Sequence, residues 1–245
     1  MQEELIRTQM LLGSAAMEKL AKSRVAVFGI GGVGGAASEA LVRSGIGAID
    51  LIDNDTISIT NINRQIYATQ DTVGQYKTDV AAQRILQINP TVVVRTHKVF
   101  YLPDTAPAFD LTQYDYIIDA VDTVSAKIEL IVNANLAKTP IISSMGTGNK
   151  LDPTAFVVTD LSKTKVCPLA RIMRRELKQH GIHHLQVVYS EEVPITPKNS
   201  VQASTPPGSK RPKQIPGSVA FVPPVAGWIL AGAVIKDLIR DVCDS

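Results

Sequence analysis

The chain has 245 residues, 45% of them apolar, and a net charge of +2. That is ample material for a packed core and too apolar for a disordered chain, while the charge is too small for the whole-molecule field to argue for nucleic acid. Two cysteines, Cys167 and Cys243, exclude a four-cysteine zinc site and argue against a disulfide scaffold.

In chain order, a helical segment is expected from about Glu3 to Leu20, without the apolar stretch of a secretory signal. The β-branched run Arg24 to Phe28 predicts a strand, followed by glycines and an alanine-rich helix through Ala36, Ala40 and Val42. Ala48 to Asp53 predicts a second strand ending in the acidic turn Asp53-Asn54-Asp55. Ala81, Ile85 and Ile88 recur at helical spacing from Lys77 onward and stop at Asn89-Pro90, a helix terminator. Val92 to Arg95, Tyr116 to Asp119 and Ile141 to Ser144 read as further strands, with a helix ending near Lys138. Strands alternating with helices at this rhythm imply a largely parallel α/β sheet covered on both faces.

The second half is of a different character. Pro168 opens a helix to Gly181 with Leu169, Ile172, Met173 and Leu177 as its apolar stripe. Residues 198–217 hold four prolines, two glycines, four Lys/Arg and no acid, and are expected to be a mobile loop. A strand near Val219 and a long apolar helix close the chain. That helix region is interrupted by Pro223, Pro224, Gly227 and Gly232, so it is read as buried rather than membrane-spanning, and the expected location is the cytoplasm. The whole is expected to be one domain: a helical segment 1–22, a Rossmann-like core 23–160, and an extension 161–245 carrying the basic helix, the loop and the last helix.

The chemistry starts at Gly29-Ile30-Gly31-Gly32-Val33-Gly34, set between a strand and a helix. Glycines at this spacing let backbone N–H groups approach phosphates at the positive end of a helix. Asp53, at the next strand end, suits a ribose hydroxyl. Taken alone, this fits NAD as well as ATP. Arg64 and Lys77 add cations at the same sheet edge, and Asp119 or Asp122, after the next strand, can supply a magnesium ligand. Taken singly, Arg64 or Lys77 is more often a solvated surface charge, and Asp119 could simply cap the next helix; their joint placement after successive strands favours a triphosphate.

Together with Asn61 and Arg64-Gln65 in the stretch Asp53 to Gln65, these motifs resemble the ubiquitin-activating and sulfur-carrier-activating enzyme superfamily. That resemblance implies binding of ATP and Mg2+ and adenylation of a carboxylate. Gly29, Gly31, Gly32 and Gly34 would border the nucleotide, Asp53 would hold its ribose, Asn61, Arg64 and Lys77 would meet its phosphates, and Asp122 would hold the metal. Arg64, Lys77 and Asp122 are the expected catalytic set. Arg7 matches an arginine offered to the partner subunit's ATP, which implies a homodimer.

Lys165 to Arg171, Val187 to Glu192 and Gly217 to Pro223 further resemble the tRNA threonylcarbamoyladenosine dehydratases within that superfamily. The resemblance implies adenylation of the substrate's threonyl carboxylate next to the anticodon, then ring closure by its own ureido oxygen with loss of AMP. A tRNA substrate needs cations, and Arg171, Arg174, Arg175 and Lys178 fall on one helical face. Lys163 to Leu185 carries a local net charge of +5, from six Lys/Arg against one acid. Cys167, just before Pro168, is read as structural, with a thioester- or persulfide-forming role kept beside it. The alternatives are adenylation of a ubiquitin-like sulfur carrier, with a sulfur-transfer protein as partner, and a non-catalytic nucleotide-binding protein or NAD-dependent oxidoreductase.

Overall fold

The structure is a computed structural model, and it describes residues 3–199 and 215–243. Among them the strands form one seven-stranded sheet in the order β3-β2-β1-β4-β5-β7-β6. The strands are β1 (Arg24–Phe28), β2 (Ala48–Ile52), β3 (Val93–His97), β4 (Tyr116–Asp119), β5 (Ile141–Ser144), β6 (Phe156–Asp160) and β7 (Gln186–Ser190). All neighbours are parallel except β6, which pairs antiparallel with β7. The central strands are buried along nearly their full length, which is why β1 reads Arg-Val-Ala-Val-Phe without polar alternation. Edge strand β3 is mostly exposed and carries Arg95 and His97, polar residues that blunt an open edge.

The N-terminal segment is split at Gly13 (φ +81°) into α1 (Ile6–Leu12) and α2 (Ser14–Lys22), after a short turn at Glu3–Leu5. The crossover helices are α3 (Gly32–Arg43), α4 (Lys77–Ile88) and α5 (Val124–Ala137), followed by α6 (Pro168–Gln179), α7 (Pro223–Leu238) and α8 (Arg240–Cys243). Helix α7 packs on α3, and its residues Ala226, Leu230, Ala231 and Val234 join the core shared with β1 and β2.

Three expectations meet a different outcome. Position 160 falls inside the sheet, because β7 inserts between β5 and β6. No strand forms near Val219: residues 215–219 are irregular, pinned by side-chain bonds rather than by a ladder. Ile172 is 36% exposed, whereas Ala170, Met173 and Leu177 are buried. At about 100° per residue, Ile172 lies beyond the edge of the arc from Leu169 to Ala170 that faces the core. Of the expected loop 198–217, residues 200–214 lie outside the described residues.

Candidate nucleotide site

The sheet order reverses between β1 and β4, and the crevice outside their carboxyl ends is where a doubly wound fold binds ligands. A cleft of about 460 Å³ opens there. It is lined by Gly29, Gly31 and Gly32 after β1, Asp53 and Asp55 after β2, Arg64, Gln65 and Lys77, Asp122 after β4, and Gly146 to Gly148 after β5. One volume therefore collects the ends of four strands, and its size suits a nucleotide.

The glycine loop is shaped by close approach. Gly29 has φ +87°, in the left-handed region, and a Cβ there would lie 2.6 Å from the Ala120 carbonyl oxygen. A Cβ on Gly34 would lie 1.8 Å from the Gly29 carbonyl oxygen, so Gly34 lets α3 start against the loop and does not itself line the cleft. The loop is also tied to the acid opposite. The Asp53 carboxylate accepts the Ile30 N–H at 2.6 Å and the Asp55 N–H at 2.8 Å. Burial pushes the Asp53 carboxyl above its ordinary pKa, opposed by Lys77 and by those two amides.

Lys77 opens α4 and is 7% exposed, with Nζ 2.6 Å from Asp55 Oδ2 and 3.9 Å from Asp53 Oδ2. Arg64 is half-buried; its Nη1 donates to the Thr60 carbonyl and to Asn63 Oδ1, both at 2.9 Å. The rest of its donor fork is uncommitted among the described residues. Asn61 does not line the cleft. Its Oδ1 accepts the Ser58 N–H at 3.0 Å and caps the short turn Ile59–Asn61. The nearby lining residue is Gln65, 9% exposed.

Asp122 is exposed on the loop between β4 and α5, where Thr123 Oγ1 donates to it at 3.3 Å. Among the described residues no cluster of three or more His, Cys, Asp or Glu forms a ready-made metal cage. A lone hard carboxylate facing a phosphate-sized cleft suits Mg2+, which keeps its waters and takes one or two carboxylates plus substrate phosphates. Asp119, the other candidate, is fully buried against Lys127 and Ser143. Arg7 is exposed on α1 and does not line its own chain's cleft; its neighbours Met10 and Leu11 are exposed too.

On α6, Arg171, Arg175 and Lys178 face outward, Arg175 pairing with the adjacent Glu176. Arg174 is half-buried and turned inward, where it donates to the Thr164 carbonyl at 3.0 Å. Cys167 is 4% exposed in the cluster with Met145, Leu161 and Met173. Sequence reasoning missed Gly146 to Gly148 and the segment Ile215 to Ser218 as cleft walls. The first carried a signal, glycines directly after a buried strand; the second carried none, because only folding brings it there.

Among the described residues, no helix is long and apolar enough to cross a membrane. The chain is 43% identical to the tRNA threonylcarbamoyladenosine dehydratase of Bacillus subtilis (strain 168), over 99% of this chain and 97% of that protein. It is also similar to the crystal structure of Escherichia coli tRNA N6-threonylcarbamoyladenosine dehydratase in complex with AMP, with a TM-score of 0.88 and 35% identity over 99% of this chain and 96% of that one. The complex of the same E. coli enzyme with ATP matches at a TM-score of 0.87, with the same identity and coverage. The model of the ThiF family matches residues 4–242, across both walls of the cleft, and the chain belongs to the ThiF family.

Proposed function

We propose that this chain cyclises threonylcarbamoyladenosine next to the anticodon of tRNA, using ATP to adenylate the threonyl carboxylate. The observation that carries this reading is whole-length similarity to dehydratases, combined with a cleft whose lining brings phosphate-suited groups together. The carboxylate attacks the α-phosphorus of ATP and pyrophosphate leaves. The substrate's own ureido group then attacks the acyl carbon and AMP leaves, so no protein nucleophile is needed. That agrees with a Cys167 packed in the core.

In this reading the chain's residues bind and orient. The amides of Gly31 and Gly32 and the cations of Arg64 and Lys77 take the phosphate charge, and Asp53 takes the ribose. Gly34 and Asn61 act one step back, through α3 and the Ile59–Asn61 turn. Asp122 would hold Mg2+, which neutralises phosphate charge. Arg7 would reach the cleft of a second copy, so the working form is a homodimer in the cytoplasm. Arg171, Arg175 and Lys178 would contact the RNA backbone, with Arg174 holding the helix in place.

The test is exchange of labelled pyrophosphate into ATP. Exchange that requires tRNA carrying threonylcarbamoyladenosine supports the reading. Exchange that instead requires a ubiquitin-like carrier protein overturns the substrate, and no exchange with either overturns the adenylation.

A further inference from the structure

Beneath the loop that carries Asp122 lies a buried ion pair that the reaction described above does not use. Asp119, the last residue of β4, and Lys127 on α5 have side chains 0% exposed, with Lys127 Nζ 3.0 Å from Asp119 Oδ2. Ser143, beside Asp119 on β5, donates to the same Oδ2 at 2.6 Å. Lys127 Nζ also donates to the Val121 carbonyl at 3.1 Å, and the Val121 N–H donates to Asp119 Oδ1 at 3.3 Å. Both backbone polar groups of the residue before Asp122 are thereby held by one charge pair.

Stability is a poor account of this arrangement. Removing two charges from water costs several kcal/mol per ion, and apolar side chains of like volume are often as stabilising. What apolar side chains cannot do is fix an N–H and a C=O at once. The held loop is also the surface against which the glycine loop is packed, since the Ala120 carbonyl is the atom a Cβ on Gly29 would meet.

We propose that the Asp119–Lys127 pair, completed by Ser143, is a positioning device that clamps Val121 so that Asp122 faces the metal of the bound nucleotide. The proposal rests on the adenylation reading for its metal, but its readout is nucleotide binding, which requires no tRNA. Outer-shell partners of metal ligands typically change metal affinity by about 10–100-fold when removed.

Three variants test it: Lys127→Met, Lys127→Met combined with Asp119→Asn, and Ser143→Ala. The measurements are thermal melting, binding of AMP without magnesium, and the Mg2+ concentration giving half-maximal binding of a fluorescent ATP analogue. Lys127→Met leaves Asp119 as a stranded charge and melts early. The double variant strands no charge and recovers most of that loss, yet needs about tenfold more Mg2+ because the Val121 carbonyl has no donor. Ser143→Ala strands no charge either and shifts the Mg2+ requirement in the same direction by a smaller factor, while AMP binding is retained in both. Wild-type Mg2+ dependence in the double variant, or in Ser143→Ala where the double variant does not fold, would overturn the proposal and leave the pair structural. Loss of AMP binding in parallel with the Mg2+ shift would overturn it too. Exchange in the wild-type chain that requires a ubiquitin-like carrier protein in place of tRNA would overturn the substrate reading instead, without touching this one.

Discussion

Gly34→Ala and Gly31→Ala look equivalent in sequence, and the structure predicts that only the first also loses stability. A Cβ at Gly34 would stand 1.8 Å from the Gly29 carbonyl oxygen, whereas a Cβ at Gly31 would meet Gln65 Nε2 at 3.8 Å, an ordinary contact. Carbon–oxygen contacts settle at about 3.3 Å or more, so a gap of roughly 1.5 Å must open between α3 and the loop in Gly34→Ala. The obstacle is backbone and cannot rotate away. Overpacking of this kind costs about 1–3 kcal/mol, or about 2–12 °C in Tm for a chain of this length. Misplacing the phosphate-facing amides by about 1 Å costs about 10²-fold in kcat/KM, roughly 2.7 kcal/mol of transition-state binding. Gly31→Ala is expected to melt like wild type while losing nucleotide affinity, because its methyl occupies the space the ligand's phosphates approach. Melting curves beside calorimetric titration with AMP read both effects. Normal AMP affinity and Tm in Gly34→Ala, or a normal AMP affinity in Gly31→Ala, would refute the division of labour drawn for these glycines.

Arg64→Ala and Asp122→Ala remove side chains with few internal partners, so both are expected to fold and melt normally while pyrophosphate exchange is abolished; near-normal exchange in either removes it from the site. Acidification should weaken AMP binding to wild type at a higher pH than an unperturbed aspartate's value of about 3.9 would require, because burial raises the Asp53 pKa and the ribose hydroxyls, as proposed, would donate to its ionised form. The same raised pKa works the other way on folding, costing stability as pH rises through it, and Asp53→Asn should flatten both profiles in titrations followed by calorimetry and melting. Reversing Arg171, Arg175 and Lys178 to Glu should weaken tRNA binding measured by filter retention at moderate salt, with ATP binding unchanged. Arg174→Glu should instead lower Tm, because its guanidinium holds the Thr164 carbonyl; an unchanged Tm would show that this bond is dispensable.

How much of this was legible depends on whether the signal was local. The glycine loop, Asp53 and the alternation of strands and helices are written in contiguous residues, because a strand–turn–helix unit is specified by its own apolar run and its own turn. Placement of β7 between β5 and β6 was not legible. Val187 to Tyr189 is a buried run in either position, and only tertiary packing selects its neighbours. Asn61 and Arg174 show the same limit for side chains. Both carry the expected residue type in the expected stretch, yet one caps the Ile59–Asn61 turn and the other holds a neighbouring turn, each engaged by backbone groups that a linear reading does not place. Asp119 and Asp122 are three positions apart and have opposite fates, one fully buried and one exposed, which strand register rather than composition decides.

The wall formed by Ile215 to Ser218 has a consequence for biosynthesis. Gly217 is held by Asn149 in both directions, and Asn63, one residue before Arg64, donates to the Ser218 carbonyl at 3.0 Å. A ribosome adding about 5–20 residues per second exposes the glycine loop many seconds before this late segment emerges. The nascent polypeptide thus passes through a stage in which the glycine loop has been made but the far wall of its cleft has not, and the cleft can close only once residues 215–218 have emerged.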